Sequence, residues 1–117
     1  MKTLVLPFPP SINDYYMPVR AGMGARIALR KNAREFREKA VQVLRNAGAP
    51  LEGRLHVIVT LHAPSGAPDV SNYAKGVLDA LEHAGIFNND NQVDHYEEKR
   101  GAESTPGYAV IQIGVIR

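Results

Sequence analysis

Residues 54–62 constrain the fold more than any other stretch of the chain. Leu55, Val57, Val59 and Leu61 alternate with His56, Ile58, Thr60 and His62. A strict period of two places the first set on one face of a β-strand and the second on the other. The strand therefore belongs to a sheet with one apolar, covered face. Ala63-Pro64-Ser65-Gly66-Ala67-Pro68 ends it, because neither proline can donate to a ladder.

The remaining pattern says what covers that face. Phe36, Ala40, Val43, Leu44 and Ala47 fall at i, i+4, i+7, i+8 and i+11, one apolar stripe on a helix from about Lys31 to Ala47. Gly48 supplies its left-handed stop. Tyr73, Val77, Leu78, Leu81 and Ala84 make the stripe of a second helix from about Asn72, with Asp69 or Ser71 as its cap and Gly85 as its end. Residues 2–6 read as a short strand stopped by Pro7, Pro9 and Pro10. Residues 11–28, with Gly22 and Gly24 and little periodicity, read as a loop. Val93–Lys99 and Tyr108–Ile116 read as strands, the last turning Ala109, Ile111, Ile113 and Val115 inward. The expected architecture is α+β: a single compact domain over residues 1–117, a mixed sheet with two helices on one face, in the order β-α-β-α-β-β.

A chain of 117 residues buries roughly 65% of its unfolded surface, enough for a core without covalent staples. There are no cysteines, which excludes a disulfide framework and a thiolate metal site. No apolar run approaches the roughly 20 residues of a membrane span, and no signal peptide is evident, so a cytoplasmic protein is expected. The net charge of +2 conceals two opposed halves. Residues 20–45 hold eight bases against Glu35 and Glu38, a net +6, whereas residues 69–98 hold seven acids against Lys75, a net −6. A basic half suits a polyanion, since phosphate contacts release condensed counterions. An acidic half suits a hard cation. Two solvated faces would give the same numbers.

Within the acidic half, Asp69 stands where strand gives way to helix, and Asp90 stands just before the strand at 93, among Asn88, Asn89, Asn91 and Gln92. Carboxylates converging from two elements can hold Mg²⁺, which takes one or two of them and keeps several waters. By spacing alone, Asp69 also fits a helix cap, Asp90 an Asx turn, and Lys75 an i,i+4 partner of Asp79. The four histidines form no ligand pattern, and Gly22 and Gly24 lack the Lys and Ser/Thr of a phosphate-binding loop.

Three segments carry a resemblance. Pro68-Asp69-Val70-Ser71-Asn72-Tyr73-Ala74-Lys75, continued by Asp79-Ala80-Leu81, is similar to Asp-x-Asp-Asn-x-x-Lys followed by Asp-Ala-Leu. Ala84-Gly85-Ile86-Phe87 and Asn89-Asp90-Asn91-Gln92-Val93 resemble a second acidic segment. Pro7-Phe8-Pro9-Pro10-Ser11-Ile12-Asn13-Asp14-Tyr15-Tyr16 resembles an amino-terminal Pro-x-Pro-Pro-Ser-x-Asn-x-Tyr-Tyr. These are signatures of the RusA family of Holliday junction resolvases, and they occur here in order and at matching spacing. Glu35-Phe36-Arg37 matches an aromatic–Arg pair in the family's first helix.

The resemblance implies a homodimeric nuclease that uses Mg²⁺, with Mn²⁺ as a substitute, to nick four-way DNA junctions in recombination and repair. It implies Asp69 and Asp90 as metal-binding and catalytic residues with Lys75 beside them. Asn72 matches as well, and Asn13, Tyr15, Arg30, Lys31, Arg34, Arg37, Asn72 and Lys75 are the expected DNA contacts. A phage or prophage source fits it. The departure is Ser71, which occupies the family's second aspartate position as a metal ligand without charge. Three readings follow: a junction-cutting endonuclease, a junction-binding protein that cuts weakly because of Ser71, and an adaptor domain without a nucleic-acid partner.

Overall fold

The structure, a computed structural model, describes residues 1–11, 16–21, 24–65 and 73–116. Six strands and two helices follow in the order β1 (Lys2–Pro7), β2 (Tyr16–Ala21), β3 (Gly24–Leu29), α1 (Lys31–Val43), β4 (Leu55–His62), α2 (Ala74–His83), β5 (Val93–Arg100) and β6 (Tyr108–Val115). A short 3₁₀ turn, Asp90–Gln92, precedes β5. Four strands form one mixed sheet in the order β1-β6-β4-β5, with β4 parallel to β5 and antiparallel to β6.

The alternation in β4 is realised without exception: Leu55, Val57, Val59 and Leu61 are fully buried, and the intervening residues are half-buried. Their neighbours across the ladder, Ile113, Ile111 and Ala109, are buried on the same face, and Leu4 and Leu6 of β1 extend it. Both helices lie on this face. Helix α1 contributes Ala33, Phe36 and Ala40, with Leu44 just beyond it, and α2 contributes Gly76, Val77, Ala80 and Leu81. The expected α+β arrangement holds.

Four details differ from the sequence reading. Val43 is 57% exposed, because the buried stripe of α1 runs through Ala33, Phe36, Ala40 and Leu44 and Val43 falls to its solvent side. Val115 is 39% exposed, at the last ladder position of β6 opposite Leu55. Helix α2 has Tyr73 at its N-cap position, with no side-chain capping bond; the expected caps Asp69 and Ser71 lie outside the described residues. Residues expected as a loop form the antiparallel pair β2–β3, with Tyr16 opposite Leu29 and Ala21 opposite Gly24. Pro18 inside one run and small residues in the other hide that hairpin from a period-two reading.

Helix α2 ends as its sequence requires. Gly85 takes φ +80°, the Gly85 N–H donates to the Glu82 carbonyl and the Ile86 N–H donates to that of Leu81, closing the last turn. Buried Ile86 and Phe87 then anchor the chain, with Phe87 bridged to Leu51. The link β4–α2–β5 has a geometric consequence. Phe8 and Tyr73 meet edge to face at 5.2 Å, and Pro7, Tyr108 and His62 are successive ladder neighbours, so α2 starts at the His62 end of the sheet. Val93 pairs with Leu55, so the chain that leaves α2 re-enters the sheet at the opposite end. No described helix is long and apolar enough to cross a membrane.

Candidate metal and nucleic-acid site

The turn that carries Asp90 is fixed through its backbone from several sides. Asn89 caps it, its Oδ1 accepting from the Asn91 N–H at 2.9 Å. Gln92 closes the capping box: its Oε1 accepts from the N–H groups of Asn88 and Asn89, both at 3.0 Å. The amide of the same side chain donates to the carbonyls of Leu51 and Gly53 at 3.1 and 3.0 Å, tying the turn to the segment before β4. Arg54 donates to the Asn91 carbonyl at 2.6 Å. From α2, Oε1 of Glu82 accepts from the Asp90 N–H at 2.7 Å. The Asx contact that sequence allows for Asp90 is made by Asn89, and Asp90 takes the first position of the 3₁₀ turn.

The Asp90 side chain is exposed, and none of these bonds engages its carboxylate. A backbone held from several sides, carrying a carboxylate that no described residue engages, is the arrangement that presents a ligand to a cation. Its oxygen chemistry fits a hard divalent ion. Asp94, the nearest spare acid in sequence, is engaged: Arg54 grips it, and that hydrogen bond holds its carboxyl below the usual carboxylate range. Further along β5, burial and the bond to Glu98 push the Tyr96 phenol far above its ordinary value.

Lys75 lies in the first turn of α2, half-buried. Asp79, one turn on, pairs with Arg37 of α1 and not with Lys75: Nε and Nη2 of Arg37 reach its Oδ2 at 3.0 and 2.8 Å. The pair is mostly shielded, with side chains 27% and 20% exposed, and it ties the two helices together. That role was not legible for Arg37, which sequence groups with the DNA contacts. Arg37→Ala is expected to cost about 2 kcal/mol by leaving a shielded carboxylate without its charged partner. Arg37→Met combined with Asp79→Leu should recover most of the loss in urea unfolding.

The other cations of α1 face outward. Arg30, Lys31 and Arg34 are exposed; Lys31 sits 3.9 Å from Glu35, and Arg34 reaches the Leu29 carbonyl at 3.4 Å. Asn13, Tyr15, Asp69, Ser71 and Asn72 lie outside the described residues. Among the described residues no three His, Cys, Asp or Glu side chains are grouped to hold a metal. Lys75 and Asp90 occupy opposite ends of α2; the rise from Lys75 to Glu82 alone is about 10 Å. His62 donates from Nδ1 to the Ala102 carbonyl at 2.8 Å and stacks on Tyr108 at 4.5 Å, a structural setting.

Residues missed in the sequence are Glu82, Gln92 and Arg54. Gln92 had a signal, the Asn-x-x-Gln spacing of a capping box from Asn89. Glu82 and Arg54 had none, because their bonds join residues that only the fold brings together.

The endodeoxyribonuclease RusA family model matches residues 7–113. The chain belongs to the RusA endodeoxyribonuclease family. Two relatives agree. A crossover junction endodeoxyribonuclease of Enterobacteria phage HK97 is 31% identical over 112 residues, which cover 93% of this chain and 90% of that protein. Another, from Shigella sonnei strain Ss046, is 29% identical over 97 residues, 80% of this chain and 78% of that protein. The RusA match takes in both acidic segments, the basic helix, the whole of β4 and β5, and β6 as far as Ile113.

Proposed function

We propose that the protein is a metal-dependent, structure-selective DNA endonuclease that nicks four-way junctions, acting in the DNA-containing compartment of a bacterial cell on behalf of host or phage. The RusA match from residue 7 to residue 113 carries this reading, and the Asp90 carboxylate, which no described residue engages on its braced turn, supports it. In this reading Asp69 and Asp90 hold Mg²⁺, or Mn²⁺ in its place, with the Ser71 hydroxyl as a neutral third group. The bound metal would supply Lewis-acid stabilisation and an activated water. Lys75 supplies a positive charge for the scissile phosphate, and Asn13, Tyr15 and Asn72 are taken as DNA contacts from the family motifs. Arg30, Lys31 and Arg34 bind phosphates, with Arg37 holding their helix in place against Asp79.

A homodimer is part of the proposal. A four-way junction offers two equivalent strands, and one isologous interface places two sites on them. The separation of Asp90 from the start of α2 supports it too, since a second copy can bring the opposite end of its own α2 to each turn. Light scattering should return twice the 12.8 kDa chain mass at micromolar concentration; a monomer would remove this element.

The deciding experiment is cleavage of a labelled junction with Mg²⁺, with Mn²⁺ and in EDTA. Metal-dependent paired nicks support the proposal. Junction binding in EDTA without cleavage under either metal favours the weaker reading, in which Ser71 has cost the activity. Absence of binding leaves only an adaptor role. The binding surface has its own test: Lys31→Ala with Arg34→Ala should lower the salt slope of junction binding by about two. An unchanged slope would move the phosphate contacts elsewhere, and equal affinity for junction and duplex would refute structure selectivity.

A further inference from the structure

We propose that Glu82 is a positioning residue for Asp90, an inference that rests on the reading of Asp90 as a metal ligand. Glu82 sits in the last full turn of α2, and its Oε1 takes the Asp90 N–H at 2.7 Å. The helix behind it is anchored in the core. Val77, Ala80 and Leu81 are fully buried under it, and the Arg37–Asp79 pair ties it to α1 one turn earlier. The bond therefore refers the position of Asp90 to the packed core, whereas Asn89 and Gln92 fix the turn only within itself and to the segment at 51–53.

Capping alone does not account for a carboxylate here. The carboxylate of Asp90 lies three bonds from the nitrogen that Glu82 holds, so the two acids stand within roughly 7 Å of each other. Among the described residues neither has an ion-pair partner. Two like charges at that distance repel, and a neutral acceptor would satisfy the same N–H without that cost. A divalent cation at Asp90 reverses the sign of the interaction. Groups that orient a metal ligand change affinity by roughly 10- to 100-fold when they are removed.

The test is Mn²⁺ binding by calorimetry, without DNA, for the natural chain, Glu82→Ala, Glu82→Gln and Asp90→Asn, followed by cleavage kinetics on a junction. Glu82→Ala is expected to weaken Mn²⁺ binding about tenfold and to lower kcat while leaving KM for the junction unchanged. Glu82→Gln keeps an oxygen for the same N–H and loses the charge, so it should recover most of kcat at saturating Mn²⁺ and only part of the Mn²⁺ affinity. If Glu82→Ala binds Mn²⁺ as the natural chain does while Asp90→Asn does not bind it, the assignment of Glu82 is overturned and Asp90 stands as a ligand. If Glu82→Gln is as impaired as Glu82→Ala, the residue acts through charge and the positioning role is overturned. If Asp90→Asn binds Mn²⁺ unchanged, the reading of Asp90 itself is what fails.

Discussion

Asp69→Asn and Asp90→Asn are each expected to reduce junction cleavage by more than about 100-fold while leaving junction binding in EDTA within a factor of a few. The size follows from what the side chains would do. Mg²⁺ sits at roughly 2.0–2.1 Å from its oxygens and tolerates little departure from octahedral geometry, and anionic ligands offset its dehydration best. A metal misplaced by about 1 Å costs on the order of 100-fold in rate. Replacing a carboxylate by an amide removes the charge and keeps the shape, so loss of rate with retained binding separates a ligand from a DNA contact. The structure makes Asp90→Asn a clean experiment, because the bonds that hold its turn come from the backbone and from Glu82, Asn89, Gln92 and Arg54. Ser71→Asp should move the other way, raising the rate and lowering the Mg²⁺ midpoint, since it adds a third anionic oxygen two residues from Asp69. Natural-level cleavage by Asp90→Asn would place the metal elsewhere. No change in Ser71→Asp would mean that position 71 is not a ligand here.

Gln92→Leu is the second substitution expected to have a large effect, on stability and activity together. One amide side chain makes four hydrogen bonds, two accepted from Asn88 and Asn89 and two donated to Leu51 and Gly53. Leucine keeps the volume and makes none of them. At about 1 kcal/mol net for each of these partly exposed bonds, discounted because water replaces some of them, the loss should be roughly 2 kcal/mol. Cleavage should fall further than the fraction unfolded explains, because the turn would then hang on Glu82, Asn89 and Arg54, without its ties to residues 51 and 53. Gln92→Glu separates the two roles: it keeps the acceptor oxygens and loses the amide donors to residues 51 and 53. Chemical denaturation gives the first quantity and single-turnover cleavage the second. A Gln92→Leu chain with unchanged stability and rate would show that the capping box contributes nothing beyond what solvent supplies.

What was legible in the sequence was whatever repeats with a period. The strand at 55–62 and the stripes of both helices came from residues whose burial depends on local periodicity; the strand order β1-β6-β4-β5 did not, because a period of two says which face a residue is on and not which strands pair. Val43 and Val115 were misread because periodicity says which side of an element a residue is on, not where the neighbouring element stops. The hairpin at 16–29 was missed because Pro18, Gly24, Ala25 and Ala28 give it no alternation to detect. At the site, Asp69, Ser71, Lys75 and Asp90 were found by resemblance, since spacing alone assigns an isolated aspartate to a cap as readily as to a metal. Arg37 shows the limit of charge counting. Its cation belongs to the basic segment by number, yet its guanidinium is spent on Asp79 across 42 residues of sequence. Glu82 was equally invisible, eight residues from Asp90 and joined to it only because Gly85 turns the chain back.

The sixth strand in chain order is not at the margin of the sheet. β6 lies between β1 and β4, so the earliest and the most apolar strands of the chain have no contact in the sheet until residues 108–115 arrive between them. A nascent chain stalled after Arg100 would already contain the acids, the lysine and the basic helix of the proposed nuclease, with Ile111 and Ile113 still missing from its core. Pairing of such distant segments is slow to form and strongly cooperative once it does. The expected result is that chains ending before Tyr108, however much of the chemistry they carry, leave DNA uncut.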